Sequence, residues 1–146
     1  KDTNCWMLIA NDISRKIVMN KQPVLYAQRK TLRDFVPISD VIHNTSLIFK
    51  SSNNLDIGGQ IYNISSSSNL SLDQLCNLIL LRSEAIFGIK LSIKYLNPDL
   101  NVINDQFIIS NQKAGKIGFA FKNDLNKEID EMLINFNNWF GNLSPN

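Results

Sequence analysis

The stretch richest in groups that could do chemistry is Arg33-Asp34-Phe35-Val36-Pro37-Ile38-Ser39-Asp40-Val41. Its arginine offers a planar fork of donors that makes paired, charge-assisted hydrogen bonds to phosphate or carboxylate oxygens and stays protonated at any physiological pH. Other reactive types are sparse. His43 is the only histidine, and in a helical pattern without a nucleophile or acid beside it, it reads as a polar surface or half-buried residue. Cys5 and Cys76 form neither a CxxC pair nor metal-ligand spacing, which argues against a structural zinc site, and Cys76 reads as a buried, inert thiol. Ser65 to Ser68 is a polar run whose backbone amides could meet a phosphate, a weak signal because such loops are common.

The elements around these residues can be read from periodicity and caps. Leu8, Ile9, Asp12, Ile13, Lys16 and Ile17 predict a helix from about Met7 to Met19, which Lys21-Gln22-Pro23 breaks. Val24-Leu25-Tyr26 predicts a short strand, and Arg33 to Ile38 is extended. Ser39 or Asp40 is placed to cap a helix carrying Val41, Ile42, Thr45, Leu47, Ile48 and Phe49. After the polar loop from Ser51 to Gly59, Gln60-Ile61-Tyr62-Asn63-Ile64 has the apolar density of a buried strand. Ser71 and Gln74 make a capping box for a helix that ends at Gly88. Leu91 to Tyr95 alternates as a strand, Asn97-Pro98-Asp99 marks a turn, and Leu100 to Gln106 reads as irregular. Ser110 opens a short helix stopped near Gly118, and Asn123 or Asp124 starts a final helix with Ile129, Met132, Leu133, Phe136 and Trp139 on one face. The result is a mixed α/β chain without repeats.

At 146 residues the chain is the size of one domain. Its 15 basic and 13 acidic residues nearly balance and form no basic stripe, so a nucleic-acid partner is not expected. No apolar stretch approaches the roughly 18 residues that span a bilayer, and no basic region followed by an apolar one opens the chain. No membrane partner is expected, and the segment reads as soluble and cytoplasmic. It begins at Lys1 and runs almost at once into a helical pattern, which is the expectation for a piece of a longer protein.

Several ordered landmarks resemble one enzyme family. Arg33 to Val41 resembles the Arg-Asp-(aromatic)-Val-x-(aliphatic)-x-Asp-(aliphatic) stretch of the extended short-chain dehydrogenases, the NAD-dependent epimerase/dehydratase family that acts on nucleotide sugars. Met7-Leu8-Ile9-Ala10-Asn11 is similar to that family's aliphatic run beside the uridine or thymidine diphosphate site. Gln60 to Ser65 resembles its Gly-x-x-Tyr-Asn-(aliphatic)-Gly strand, and Ser71 to Leu75 its following helix start. Ile109 to Ala114 with Gly118-Phe119 looks like its late Asp-x-Ser-Lys-Ala element. The likeness runs from Trp6 to Phe140.

The resemblance implies a small C-terminal substrate-binding lobe without the Rossmann nucleotide-binding half. NAD(P) would be bound in the parent protein by that missing N-terminal half, and no cofactor is expected on this segment. It implies that Arg33 reaches the diphosphate of a UDP- or dTDP-sugar. Met7, Leu8, Phe35 and Ser68 are the further substrate-binding candidates, although an aromatic inside a strand such as Phe35 is more often core, and helix packing explains Met7 and Leu8 equally well. The family's glycine-rich cofactor loop and Tyr-x-x-x-Lys pair lie upstream of the aligned part, so the segment alone is expected to catalyse nothing. Two departures stand out: no arginine follows Arg82, where the family places a second one in an Arg-x-Gly-Asp context, and serines replace the glycines after Asn63. Asn97-Pro98-Asp99 is the nearest relic of that context, which leaves three alternatives: half of the diphosphate clamp is lost, is replaced by a lysine such as Lys94, or is supplied differently. A non-catalytic relative acting as an interaction or structural module is the alternative. The partner otherwise implied is the protein's own Rossmann half, and self-association of the isolated segment would hide the face that half should cover.

Overall fold

The structure, a computed structural model, describes residues 5–51, 59–97 and 107–144. Three helices carry the core: α1 (Ile9–Val18), α3 (Leu72–Phe87) and α5 (Leu125–Phe140) pack on one another. Each turns an apolar stripe inward at helical spacing, so Ile13 and Ile17, Leu75 and Ile79, and Ile129 and Leu133 are all at most 2% exposed. Burying each such side chain contributes roughly 1.5–3 kcal/mol. Arg82 joins α3 to α5 through a two-pronged pair with Asp130, Nε to Oδ1 at 2.6 Å and Nη2 to Oδ2 at 2.5 Å.

Two small sheets flank the helices. β1 (Val24–Leu25) runs parallel to β4 (Lys94–Tyr95), and β2 (Leu32–Arg33) runs antiparallel to β3 (Leu70–Ser71). The remaining helices are α2 (Ile38–Ser51) and the single turn α4 (Gln112–Gly115). The mixed α/β class read from the sequence is borne out. So are the Ser71 capping box, the left-handed Gly88 that ends α3, and the Asp124 side chain that accepts from Lys127 N at the start of α5.

Four elements differ from expectation. α1 starts at Ile9, two residues late, because Leu8 is extended and no side chain caps the turn; Met7 and Leu8 stay 91% and 61% exposed. Neither Ser39 nor Asp40 caps α2: the helix begins at Ile38, where Pro37 O accepts from the amides of Asp40 and Val41. Asp40 instead accepts from Lys122 N and Asn123 N at 3.1 and 2.8 Å. Gln60 to Ile64 forms no strand, since no neighbouring backbone forms a ladder with it among the described residues. The strand expected over Leu91 to Tyr95 shrinks to Lys94–Tyr95, because β1 offers only two residues to pair with. The expected Pro98-Asp99 turn, the irregular stretch from Leu100 to Gln106 and most of the Ser51 to Gly59 loop lie outside the described residues.

α2 is built inside out. Its buried side chains are polar, Asp40 at 2% and Asn44 at 0% exposure, while Ile38, Ile42 and Phe49 are exposed. Asn44 makes a two-way contact with Ala120: its Nδ2 donates to Ala120 O and its Oδ1 accepts from Ala120 N, both at 2.9 Å. The polar side of α2 therefore grips the segment that leads into α5.

Candidate functional site

The ribbon carrying Arg33 is short and held at both ends. Arg33 stands opposite Leu70 in the β2–β3 pair. The amides of Leu72 and Asp73 donate to Thr31 O and Arg29 O at 3.0 and 2.9 Å, which joins the first turn of α3 to the same ribbon. Arg33 itself is exposed, and its Nη1 donates only to Leu32 O, at 2.9 Å, among the described residues. The carboxylates next to it in sequence are engaged elsewhere. Asp34 Oδ1 accepts from Ser66 N at 2.9 Å and from Ser66 Oγ at 2.5 Å, and Asp40 holds the 122–123 backbone. No ion pair among the described residues involves Arg33.

The serine run is folded onto itself. Ser66 N is held by Asp34, Ser67 N donates to Ser65 Oγ and Ser68 N to Ser66 Oγ, both at 3.2 Å. Those three amides are spent, so the run is no backbone cradle for phosphate. What Ser68 presents is an exposed side chain. It shares a hollow of about 210 Å³ with Phe35, floored by Leu70, Leu78 and Leu125, and another of about 420 Å³ with Leu32, Asn69 and Gln74. Phe35 also lines a larger cleft of about 510 Å³ with Trp6, Ile38, Met132 and Trp139, while packing against the core.

Of the predicted residues, Phe35 and Ser68 share one hollow, while Arg33 stands on the β2–β3 ribbon and lines neither that hollow nor the one Ser68 shares with Leu32. Met7 lies elsewhere, on a hollow of about 140 Å³ with Val24, Tyr26 and Ala27. Leu8 is exposed at the start of α1, its carbonyl accepting from Asp12 N at 2.8 Å. Lys94 stands on β4, in the other sheet from Arg33, and Arg82 is taken up by Asp130. His43 is exposed and Cys76 buried, as read from the sequence.

One tyrosine does have a lysine four residues on, in Tyr26-Ala27-Gln28-Arg29-Lys30. This stretch is irregular, so the spacing does not bring the two side chains onto one helical face as it would in a helix. The cation over the Tyr26 ring is Lys16, its Nζ 5.3 Å from the centroid. Tyr95 is likewise structural: its hydroxyl donates to Asp73, and Arg29 stacks 5.5 Å from its ring centroid. Burial first, then that hydrogen bond, hold its phenol well above the ordinary range. Sequence reasoning missed the Asp34–Ser66 and Asn44–Ala120 ties, which join residues 32 and 76 positions apart and leave no mark in local spacing. Among the described residues no group of histidine, cysteine and carboxylate side chains could hold a metal, and no helix is long and apolar enough to cross a membrane.

No family model and no curated protein matches the sequence. Solved structures do match the fold. A UDP-N-acetylglucosamine 4-epimerase from Methanobrevibacter ruminantium, in complex with UDP-N-acetylmuramic acid, aligns with a TM-score of 0.73 at 16% identity, over 95% of this chain and 42% of that one. The UDP-glucuronic acid 4-epimerase from Bacillus cereus, with UDP-glucuronic acid and NAD, aligns at 0.72 and 16% identity, over 92% and 41%. A dTDP-glucose 4,6-dehydratase from Bacillus anthracis, with NAD, aligns at 0.66 and 16% identity, over 88% and 39%. The chain therefore spans about two-fifths of the length of the enzymes it matches. It has the fold of part of the NAD-dependent nucleotide-sugar epimerases and dehydratases, the extended short-chain dehydrogenases.

Proposed function

We propose that this chain is the C-terminal substrate-binding portion of an NAD(P)-dependent nucleotide-sugar epimerase or dehydratase, and that its work is to grip the nucleoside diphosphate of a UDP- or dTDP-sugar. The observation that carries this reading is Arg33. It is an exposed guanidinium fixed on a ribbon whose neighbouring carboxylates are already occupied, in a chain with the fold of enzymes solved with UDP-sugars. An oxyanion is the partner such a group lacks. Phe35 and Ser68, on the hollow beside it, would bound the ligand, and Met7 and Leu8 would offer apolar surface from the start of α1. NAD(P) would sit on the protein's own Rossmann half, which would also supply the acid/base pair. Positioning is a large part of catalysis, since a displacement of about 1 Å can cost roughly a hundredfold in rate.

One observation favours a second reading, a non-catalytic relative serving as an interaction or structural module. No arginine follows Arg82, and Arg82 is bound to Asp130, so the opposing half of a diphosphate clamp has no arginine in this sequence. Thermal unfolding of the full-length protein with UDP-glucose and dTDP-glucose separates the two. A bound sugar nucleotide at 100 times its dissociation constant stabilises by about 2.7 kcal/mol, a shift of several degrees. No shift with either class of ligand supports the module.

A further inference from the structure

We propose that the cleft bounded by α5, the start of α1 and the stretch Phe35 to Ile38 is a binding site for a small organic cation, an ammonium group carried on a compact apolar body. The proposal stands apart from the nucleotide-sugar reading. Of the residues that reading uses, only Phe35 lines the cleft.

The walls supply the first observation. The cleft encloses about 510 Å³, within the roughly 300–1,000 Å³ typical of small-molecule sites, and Trp6, Phe35, Phe136 and Trp139 all line it. Phe136 and Trp139 stack with ring centroids 5.8 Å apart, and Trp6 meets Phe136 edge-on at 5.3 Å. Trp139 remains 45% exposed, so its ring has surface to give to a ligand. An aromatic face attracts a cation through its quadrupole, and tryptophan does so best. This aromatic cluster already holds one cation in that way: the Arg15 guanidinium lies 5.6 Å from the Trp6 centroid and 5.7 Å from that of Phe140.

Charge supplies the second. Glu128 and Glu131, one turn apart on α5, line the cleft, and no lysine, arginine or histidine lines it among the described residues. Glu128 is held in place, its Oε2 accepting from Ser39 Oγ at 2.9 Å and from Ser39 N at 3.4 Å. A hydroxyl and an amide orient that carboxylate without cancelling its charge. Glu131 meets Lys127 only at 3.8 Å between exposed side chains, a pair of little strength. The two carboxylates repel an anion, and a neutral apolar ligand leaves them without a counter-charge. An ammonium on an apolar body satisfies both, the rings taking the body and the carboxylates the charge.

A ligand-observed NMR titration of the full-length protein with choline chloride tests this. The control is neohexyl alcohol, in which carbon replaces the ammonium nitrogen and the charge is gone. Saturable choline binding is expected, at least about tenfold tighter than that of the alcohol. Glu128→Gln combined with Glu131→Gln should weaken choline by about tenfold and leave the alcohol unchanged, whereas Trp139→Leu should weaken both. Glu131→Gln alone alters an exposed side chain and should weaken choline about threefold, which keeps the test open if the other variants do not fold. No choline binding overturns the inference, as happens if another part of the full-length protein fills the cleft. Equal affinity for choline and the alcohol overturns it in favour of a plain apolar groove. Choline binding untouched by every variant also overturns it, since the cation then sits elsewhere.

Discussion

At the scale of single residues, the polar groups around Arg33 are spent on holding shape, while Arg33 itself makes no ion pair among the described residues. Asp34, Asp40 and Asn44 each bind backbone amides far away in sequence, and Ser66 closes on Asp34. Arg33 is the exception, exposed beside these ties. Cys76 shows the opposite extreme. Burial, and then the charge of Asp73, push its thiol from 9.0 up to about 11. A group whose pKa is raised on folding stabilises fully below its unfolded value and loses that contribution as pH climbs to its folded value. The unfolding free energy is therefore expected to fall between pH 9 and 11, with a smaller fall in Cys76→Ala, as read by urea titration at each pH. An equal slope in both proteins would contradict the burial of this thiol.

At the scale of elements, what is local was legible and what depends on a distant partner was not. The capping box of α3, its glycine stop and the Asp124 cap of α5 are written within four residues of each helix end, and all three form. Ser71→Ala removes the oxygen that accepts from Gln74 N at 3.1 Å and should cost about 0.5–2 kcal/mol in thermal or urea unfolding. An unchanged midpoint would mean that the β2–β3 pair alone fixes the start of α3. Asp40 sits where a cap was expected, yet Lys122 and Asn123 claim it from 82 and 83 residues away. Gln60 to Ile64 has the composition of a strand, but a strand needs a neighbour to form a ladder. Periodicity cannot say whether that neighbour lies in the same chain.

At the scale of the whole molecule, order carried what identity did not. The matched structures share only 15 to 17% of residues with this chain, yet cover 88 to 95% of it. The ordered landmarks from Trp6 to Phe140 resemble the family whose fold the matched structures share. Of the candidate residues, Phe35 and Ser68 line one hollow, Arg33 is exposed on the β2–β3 ribbon, Met7 lies on a separate hollow and Leu8 is exposed at the helix start. The serine run, a weak phosphate signal in the sequence, has the amides of Ser66, Ser67 and Ser68 bonded within a fold-back that composition does not encode. The proposal as a whole turns on one group. Isothermal titration of the full-length protein with UDP-glucose and dTDP-glucose, before and after Arg33→Ala, measures it directly. The account predicts saturable binding to at least one of them, weakened roughly tenfold to a hundredfold by the substitution, as expected for a charge-assisted hydrogen bond worth about 1.5–3 kcal/mol. Affinity unchanged by Arg33→Ala, or no binding of either ligand, would contradict it.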